Sequence, residues 1–240
     1  MGINFEGIDT LEGIKTIAME LKHYDLVLVD TNIIGACSID RKQDCLGLSE
    51  TIYDINRLSQ LERFTPYIAE ASANTKAFLE HVVSQDHVFT VPGIRDELKA
   101  YQDHIQAKFD AQTYKYKKLQ RNTKKFSPQP RRGYGNDEKS LLIRRRNQER
   151  EKLNNGKVDL SGLDSLASFA DNLGRIIEEI KIYDGPSAEL RRDAVEDASE
   201  ADYKLVGAGI GFLASKEFKA KLQILTFDRH IGKLMRYALN

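Results

Sequence analysis

Four carboxylates stand at the ends of apolar segments: Asp30 in LVLVDTNIIG, Glu97 in FTVPGIRDEL, Asp202 in SEADYKLVGAGI and Asp228 in LQILTFDRHIG. Asp30 and Asp228 close short β-type runs, whereas Glu97 and Asp202 open helix-like stretches. In a parallel α/β sheet all four can meet at the carboxyl edge, where open sheets of this class bind ligands. Carboxylates packed together raise one another's pKa, which is costly unless divalent cations neutralise them. Hard oxygen ligands suit magnesium or manganese. One or two such ions activate water and stabilise a phosphodiester transition state, so the expected chemistry is metal-dependent phosphodiester hydrolysis.

Each acid has an ordinary structural role open to it as well. Asp is a good N-cap, so Asp30 and Asp228 could simply begin helices. Glu97 could be a first-turn glutamate that favours the helix dipole. Asp96 is an alternative ligand, because neighbours about 100° apart on a helix do not both face inward. Asp202 heads a stripe continued by Val206, Gly209, Ile210 and Leu213, which sets it at the start of a core-facing surface. Glu200 and Asp197 are its local alternatives, and any of the three could serve as the cap. His230 could act as ligand or base and Arg229 could meet a phosphate, but an isolated residue of either type after a strand is commonly structural or solvated. The GAGIG run at Gly207 to Gly211 follows no strand, so close helix packing accounts for it better than a nucleotide loop. No serine lies in a G-x-S-x-G elbow, and Cys37 has no identifiable base.

The segments LVLVDTNII, VPGIRDEL, ADYKLVGAGI and ILTFD resemble, in that order, the acidic signature of the PIN-domain nucleases. The resemblance covers roughly residues 24–105 and 160–235, and its most specific piece is the DTN triplet after a hydrophobic strand. It implies a three-layer α/β/α fold around a central parallel sheet and a metal-dependent endoribonuclease activity. It further implies that Asp30, Glu97, Asp202 and Asp228 hold magnesium or manganese directly or through water. Asn32 would fix the loop that carries Asp30, and Thr31 and Thr226 would be supporting hydroxyls. Such folds continue past the fourth acid through a helix into a last edge strand, whereas this chain stops at YALN. Either that strand is absent, or the sequence is truncated before it, or Tyr237 to Leu239 form a vestige of it. A non-catalytic RNA-binding or assembly scaffold is the alternative, and the retention of all four acids favours the enzyme. A haloacid-dehalogenase-like phosphatase would want a second Asp where Asn32 stands.

An insertion departs from the pattern. Between Lys108 and Lys157 there are sixteen Lys or Arg against five Asp or Glu, a net of about +11 in a chain of zero formal charge. The remainder carries about −11, which separates a basic arm from an acidic body. Lys117, Lys118, Arg121, Lys124, Lys125, Arg131, Arg132, Arg144, Arg145 and Arg146 are interleaved with Tyr114, Tyr116, Phe126 and Tyr134. That mixture suits phosphate neutralisation together with stacking on exposed bases, as in single-stranded or looped RNA. Gly93 to Phe126 reads as one long helix, SPQPRRGYGN breaks it, and Asp137 to Asn154 can form a return helix. Residues 106–158 are thus expected to form a basic helical hairpin inserted in a single domain spanning 1–240. A solvated hairpin that binds nothing is the plain alternative.

The 240 residues are 41% hydrophobic, enough for a sizeable core. No apolar run approaches the roughly 20 residues that cross a membrane, so no membrane partner is expected. Two cysteines without histidines at ligand spacing suggest neither a disulfide scaffold nor zinc, and a reducing cytoplasm is the expected location. A helix capped by Asp9, with Glu12 at its third position, is expected to run to His23. Strands follow at Asp25 to Val29, His87 to Val91 and Leu222 to Phe227, separated by helices at Leu48 to Arg63, Ala69 to Val83, Leu163 to Ile182 and, more weakly, Ala188 to Asp197. Strands alternating with helices imply a parallel sheet. The apolar faces from Ile52 to Val83 suit either packing on that sheet or a homodimer contact.

Overall fold

Leu-Val-Leu-Val is a continuous apolar run, and such a run predicts a strand covered on both faces, as central parallel strands are. The computed structural model describes residues 10–38, 68–125, 140–145, 147, 148, 151, 160–192, 195 and 198–239. In it, β1 (Leu26–Val29) has all four residues buried and lies at the centre of a parallel three-stranded sheet. β2 (Val88–Phe89) and β3 (Leu222–Leu225) flank it, with Val27 opposite Val88 and Leu28 opposite Ile224. The chain is therefore mixed α/β, with helices between its parallel strands.

One sheet contact was not anticipated. Thr90 forms a parallel bridge with Ile182: its N–H donates to the Lys181 carbonyl at 2.9 Å, and its carbonyl accepts from the Tyr183 N–H at 2.8 Å. The helical periodicity expected through Ile182 stops earlier, because the helix ends at Glu179 and the backbone turns into the sheet. The expectations for Leu48 to Arg63 fall outside the described residues.

The helices form where apolar residues recur at helical spacing. α1 (Leu11–Leu21) buries Ile14, Ile17, Ala18 and Leu21, and its cap is Thr10, not Asp9: the Thr10 hydroxyl accepts from the Gly13 N–H at 3.1 Å. α2 (Thr31–Ser38) follows β1 directly. α3 (Ile68–Phe78) continues into a π-helical turn at Leu79–Val83, and together they bury Ala77, Phe78, Leu79, Val82 and Val83 against α1. That packing consumes the described part of the face considered for a homodimer.

α4 (Pro92–Lys125) is 34 residues long and opens on proline, whose missing N–H costs nothing at the first helical position. It buries Ile94, Leu98 and Ile105, and packs on α5 (Leu160–Glu179), which buries Phe169, Leu173, Ile176 and Ile177. Residues 140–145, 147, 148 and 151 are helical, within the segment expected to return. Among the described residues no helix is long and apolar enough to cross a membrane.

Two expectations near the C-terminal half are corrected. Residues 183–191 are not helical, although a helix was expected from Ala188. That stretch lies instead against α6 (Glu200–Ser215), and the Ala188 N–H donates to the Gly207 carbonyl at 2.8 Å. Tyr237 to Leu239 are the last turn of α7 (Arg229–Leu239) and not a strand remnant.

The glycines of GAGIG explain the close approach. A Cβ on Gly207 would lie 2.5 Å from the Ala188 carbonyl oxygen, and one on Gly211 would meet the Pro186 carbonyl more closely still. A Cβ on Gly209 would press on Leu222 of β3 at 2.8 Å. Gly→Ala in a helix interior gains about 1 kcal/mol from propensity, whereas forcing volume into backbone contact costs about 1–3 kcal/mol. Gly211→Ala is therefore expected to lower the urea midpoint. Gly232→Ala, with nothing within 4 Å of the new methyl, is expected to raise it slightly. Equal effects of the two substitutions would overturn this account.

Candidate functional site

Asp30 ends β1, where its backbone N–H still pairs with the Leu225 carbonyl of β3 at 3.0 Å. Its carbonyl accepts from the Ile34 N–H at 3.4 Å, so it is also the residue from which α2 begins. Only 3% of its surface is exposed, and a carboxylate so placed must find donors within the protein. Oδ1 accepts from the Thr31 N–H at 2.7 Å. Oδ2 accepts from the Thr226 hydroxyl at 2.6 Å and from Asn32 Nδ2 at 2.8 Å.

Asn32 and Thr226 join the ends of β1 and β3. Asn32 Oδ1 accepts from the Phe227 backbone N–H at 3.1 Å, and because that partner is only a donor, the amide nitrogen must face Asp30. The Thr226 hydroxyl gives its proton to Asp30 and accepts from the Asp228 N–H at 2.8 Å. Asn32 Nδ2 is a further donor to it at 3.3 Å. One donor and two acceptor positions are all that a hydroxyl has, so Thr226 is fully used.

The remaining acids approach from the helices. Glu97 lies in the second turn of α4, not the first. It accepts from the Thr31 hydroxyl at 2.7 Å and, more weakly, from Tyr101 at 3.4 Å, while Asp96 is exposed. Asp202, 8% exposed, is the third residue of α6 and completes a capping box: it accepts from the Ser199 N–H at 2.7 Å, and the Ser199 hydroxyl accepts from its N–H. Asp228 accepts from the His230 N–H at 2.7 Å at the start of α7, and its Oδ1 is 3.3 Å from His230 Nδ1. Three of the four acids thus sit at helix N-termini, where the helix dipole favours negative charge. Asp228 and Thr226 also line a cleft of about 380 Å³ whose apolar walls include Leu213, Ile224, Ile231 and Met235.

Electrostatics ties the group together. Burial pushes the Asp30 carboxyl up from its ordinary value of 3.8 to about 7, and the charges of Asp202 and Glu97 add to the rise against the opposing bonds from Thr226 and Thr31. Burial is also the main cause that raises Asp202, with Asp228 adding to it and Ser199 and His230 opposing. The structure therefore brings Asp30, Thr31, Asn32, Glu97 and Thr226 into one hydrogen-bonded lattice, reaches Asp228 through Thr226, and couples Asp202 through its field. Hard oxygens of this kind suit magnesium or manganese. Among the described residues, however, no three His, Cys, Asp or Glu side chains converge closely enough to hold an ion jointly. Carboxylate and hydroxyl oxygens are the chemical kind of donor such an ion takes.

Sequence reasoning passed over two participants. Ser199 was readable, since S-E-A-D has the spacing of a capping box. Tyr101 stands one helical turn beyond Glu97, but nothing local marks it. In the arm, Lys117, Lys118 and Arg121 are exposed on α4, and Arg144 and Arg145 are exposed in the helical residues 140–145. Lys124 and Lys125 belong to the last turn of α4, and Arg131, Arg132 and Arg146 lie outside the described residues. Comparison with protein-family models, with curated proteins and with solved structures gave no match.

The raised carboxyl of Asp30 has a signed consequence. Its contribution to stability is fully present below about pH 3.8 and is lost as the pH rises through about 7. The loss, in the absence of cations, is on the order of 4 kcal/mol. The stability of the native protein minus that of Asp30→Asn, from urea titrations in chelator, should accordingly fall between pH 4 and pH 8. A difference that stays flat across that range would contradict the buried-acid assignment.

Proposed function

We propose that the chain is a metal-dependent endoribonuclease with a PIN-like three-layer fold. The observation that carries this reading is the buried Asp30, held near neutral titration at the carboxyl edge of a parallel sheet with Glu97, Asp202 and Asp228 around it. Asp30, Glu97, Asp202 and Asp228 would hold magnesium or manganese, directly or through water. When bound, such an ion supplies Lewis-acid activation of water and neutralises charge that develops on the phosphodiester.

The chain's own residues do the positioning. Thr226 and Asn32 fix the rotamer of Asp30, and Thr31 orients Glu97 from the opposite side. Helix N-termini at Asp30, Asp202 and Asp228 offset part of the repulsion between the acids. The cleft beside Asp228 offers an apolar wall to a base, and the exposed cations of the arm offer phosphate contacts to single-stranded or looped RNA.

One observation favours the second reading, a non-catalytic RNA-binding scaffold. Asp202 and Asp228 both carry helix-capping bonds, so their retention has a structural reason independent of catalysis. Cleavage of an end-labelled panel of single-stranded RNA, hairpin RNA and single-stranded DNA, with manganese, magnesium or EDTA, separates the two. The expected result is RNA cleavage that needs the cation and falls about a hundredfold or more in Asp30→Asn. RNA binding without cleavage under every cation would install the scaffold reading instead.

A further inference from the structure

α4 connects the acidic edge to the basic arm without a break. Glu97 lies near its start, beside Thr31, and Lys117, Lys118 and Arg121 are exposed on the same helix twenty to twenty-four residues later. At about 1.5 Å of rise per residue, those cations stand roughly 30–36 Å from Glu97 along the helix axis. Among the described side chains of α4, Ile105 is the last that is buried, and Phe109 and Thr113 are half-buried. The described side chains beyond them, at Tyr114, Lys117, Lys118 and Arg121, are exposed. An uninterrupted helix cannot fold back, so the separation is set by its length.

Screening decides what that separation means. At physiological salt the Debye length is about 8 Å, so cations some 30 Å away exert almost no field at the acidic edge. They act on a substrate only by touching it. We propose that α4 is a molecular ruler, which makes the substrate an RNA strand long enough to occupy the acidic edge and the Lys117, Lys118 and Arg121 patch together. This rests on the endoribonuclease reading above and narrows it. For an extended strand the axial span corresponds to at least about five or six nucleotides on one side of the scissile bond, because at about 100° per residue Lys117 and Arg121 lie on the far side of α4 from Glu97 and the strand crosses the helix to reach them. Shorter RNAs reach one end of the helix and lose the contribution of the other.

The test is a series of single-stranded RNAs of about three to sixteen nucleotides, each with a labelled scissile step near one end and extended in either the 5′ or the 3′ direction. kcat/KM is measured with manganese. The expected profile is a rise of about tenfold or more as one arm of the substrate passes about six nucleotides, then a plateau. In the triple variant Lys117→Gln, Lys118→Gln, Arg121→Gln, the ratio of long to short substrate should collapse to about twofold or less. Circular dichroism reports whether that variant keeps its helix content.

A second measurement uses only the native protein. Raising the salt should erase the step, with a log-salt slope steeper on long than on short RNA by about 0.7 per phosphate contacted. Cleavage at every length with no step, or a step unchanged by salt and by the triple variant, would overturn the ruler and leave the nuclease standing. Cleavage at no length would overturn both.

Discussion

Burial of a single carboxylate is the constraint on which the rest of this structure depends. β1 passes through the centre of the sheet with every residue covered, so the Asp30 that ends it has almost no contact with water. An ionised carboxylate in that position costs several kcal/mol unless donors are supplied. The donors come from three places: the backbone of α2, the amide of Asn32 and the hydroxyl of Thr226 after β3. Satisfying one side chain therefore joins the ends of two strands to the start of a helix. The carboxyl edge has its shape because Asp30 needs it.

The same economy governs the other acids. Asp202 closes the capping box of α6 and Asp228 binds the N–H of His230 at the start of α7, so each is anchored by a bond that a purely structural residue would also make. Anchoring the acids to helix N-termini lowers the cost of placing like charges near one another. It also aims oxygens of Asp30, Asp202 and Asp228 at backbone N–H groups, and among the described residues no three acids converge on one point. Repulsion and capping together leave an acidic edge coupled through Thr226 and Thr31.

α6 also carries a close backbone approach to its neighbours. Gly207 and Gly211 let the non-helical stretch at 186–188 lie directly on the helix, and Gly209 lets β3 approach from another side. A side chain at any of them would push against backbone or core. α4 obeys a different logic. Its first half is an ordinary core helix that presents Glu97, and its described side chains at Tyr114, Lys117, Lys118 and Arg121 are exposed, so a single continuous element joins the acidic part of the molecule to the basic part.

Much of this was legible in the chain itself. The apolar run of β1, the full length of α4 and the helical stripe headed by Asp202 are consequences of periodicity, which involves residues within one or two turns of each other. The capping box at Ser199 had the same kind of local signature. The expectations that failed were those in which a distant partner outweighed local preference. The stretch from Ala188 has helical composition, yet it lies on the glycines of α6, and Ile182 continues a helical pattern, yet the backbone there pairs with Thr90. The meeting of the acids at the sheet edge was expected, but its individual hydrogen bonds also depend on distant partners: Thr226 is 196 residues from Asp30 and Glu97 is 66 from Thr31. By itself the sequence determined which residues are acidic, which segments are apolar and where the charge is segregated. Only the tertiary structure decided which hydroxyl meets which carboxylate, because hydrogen bonds a few ångströms long between remote residues exist only after the sheet has set their register.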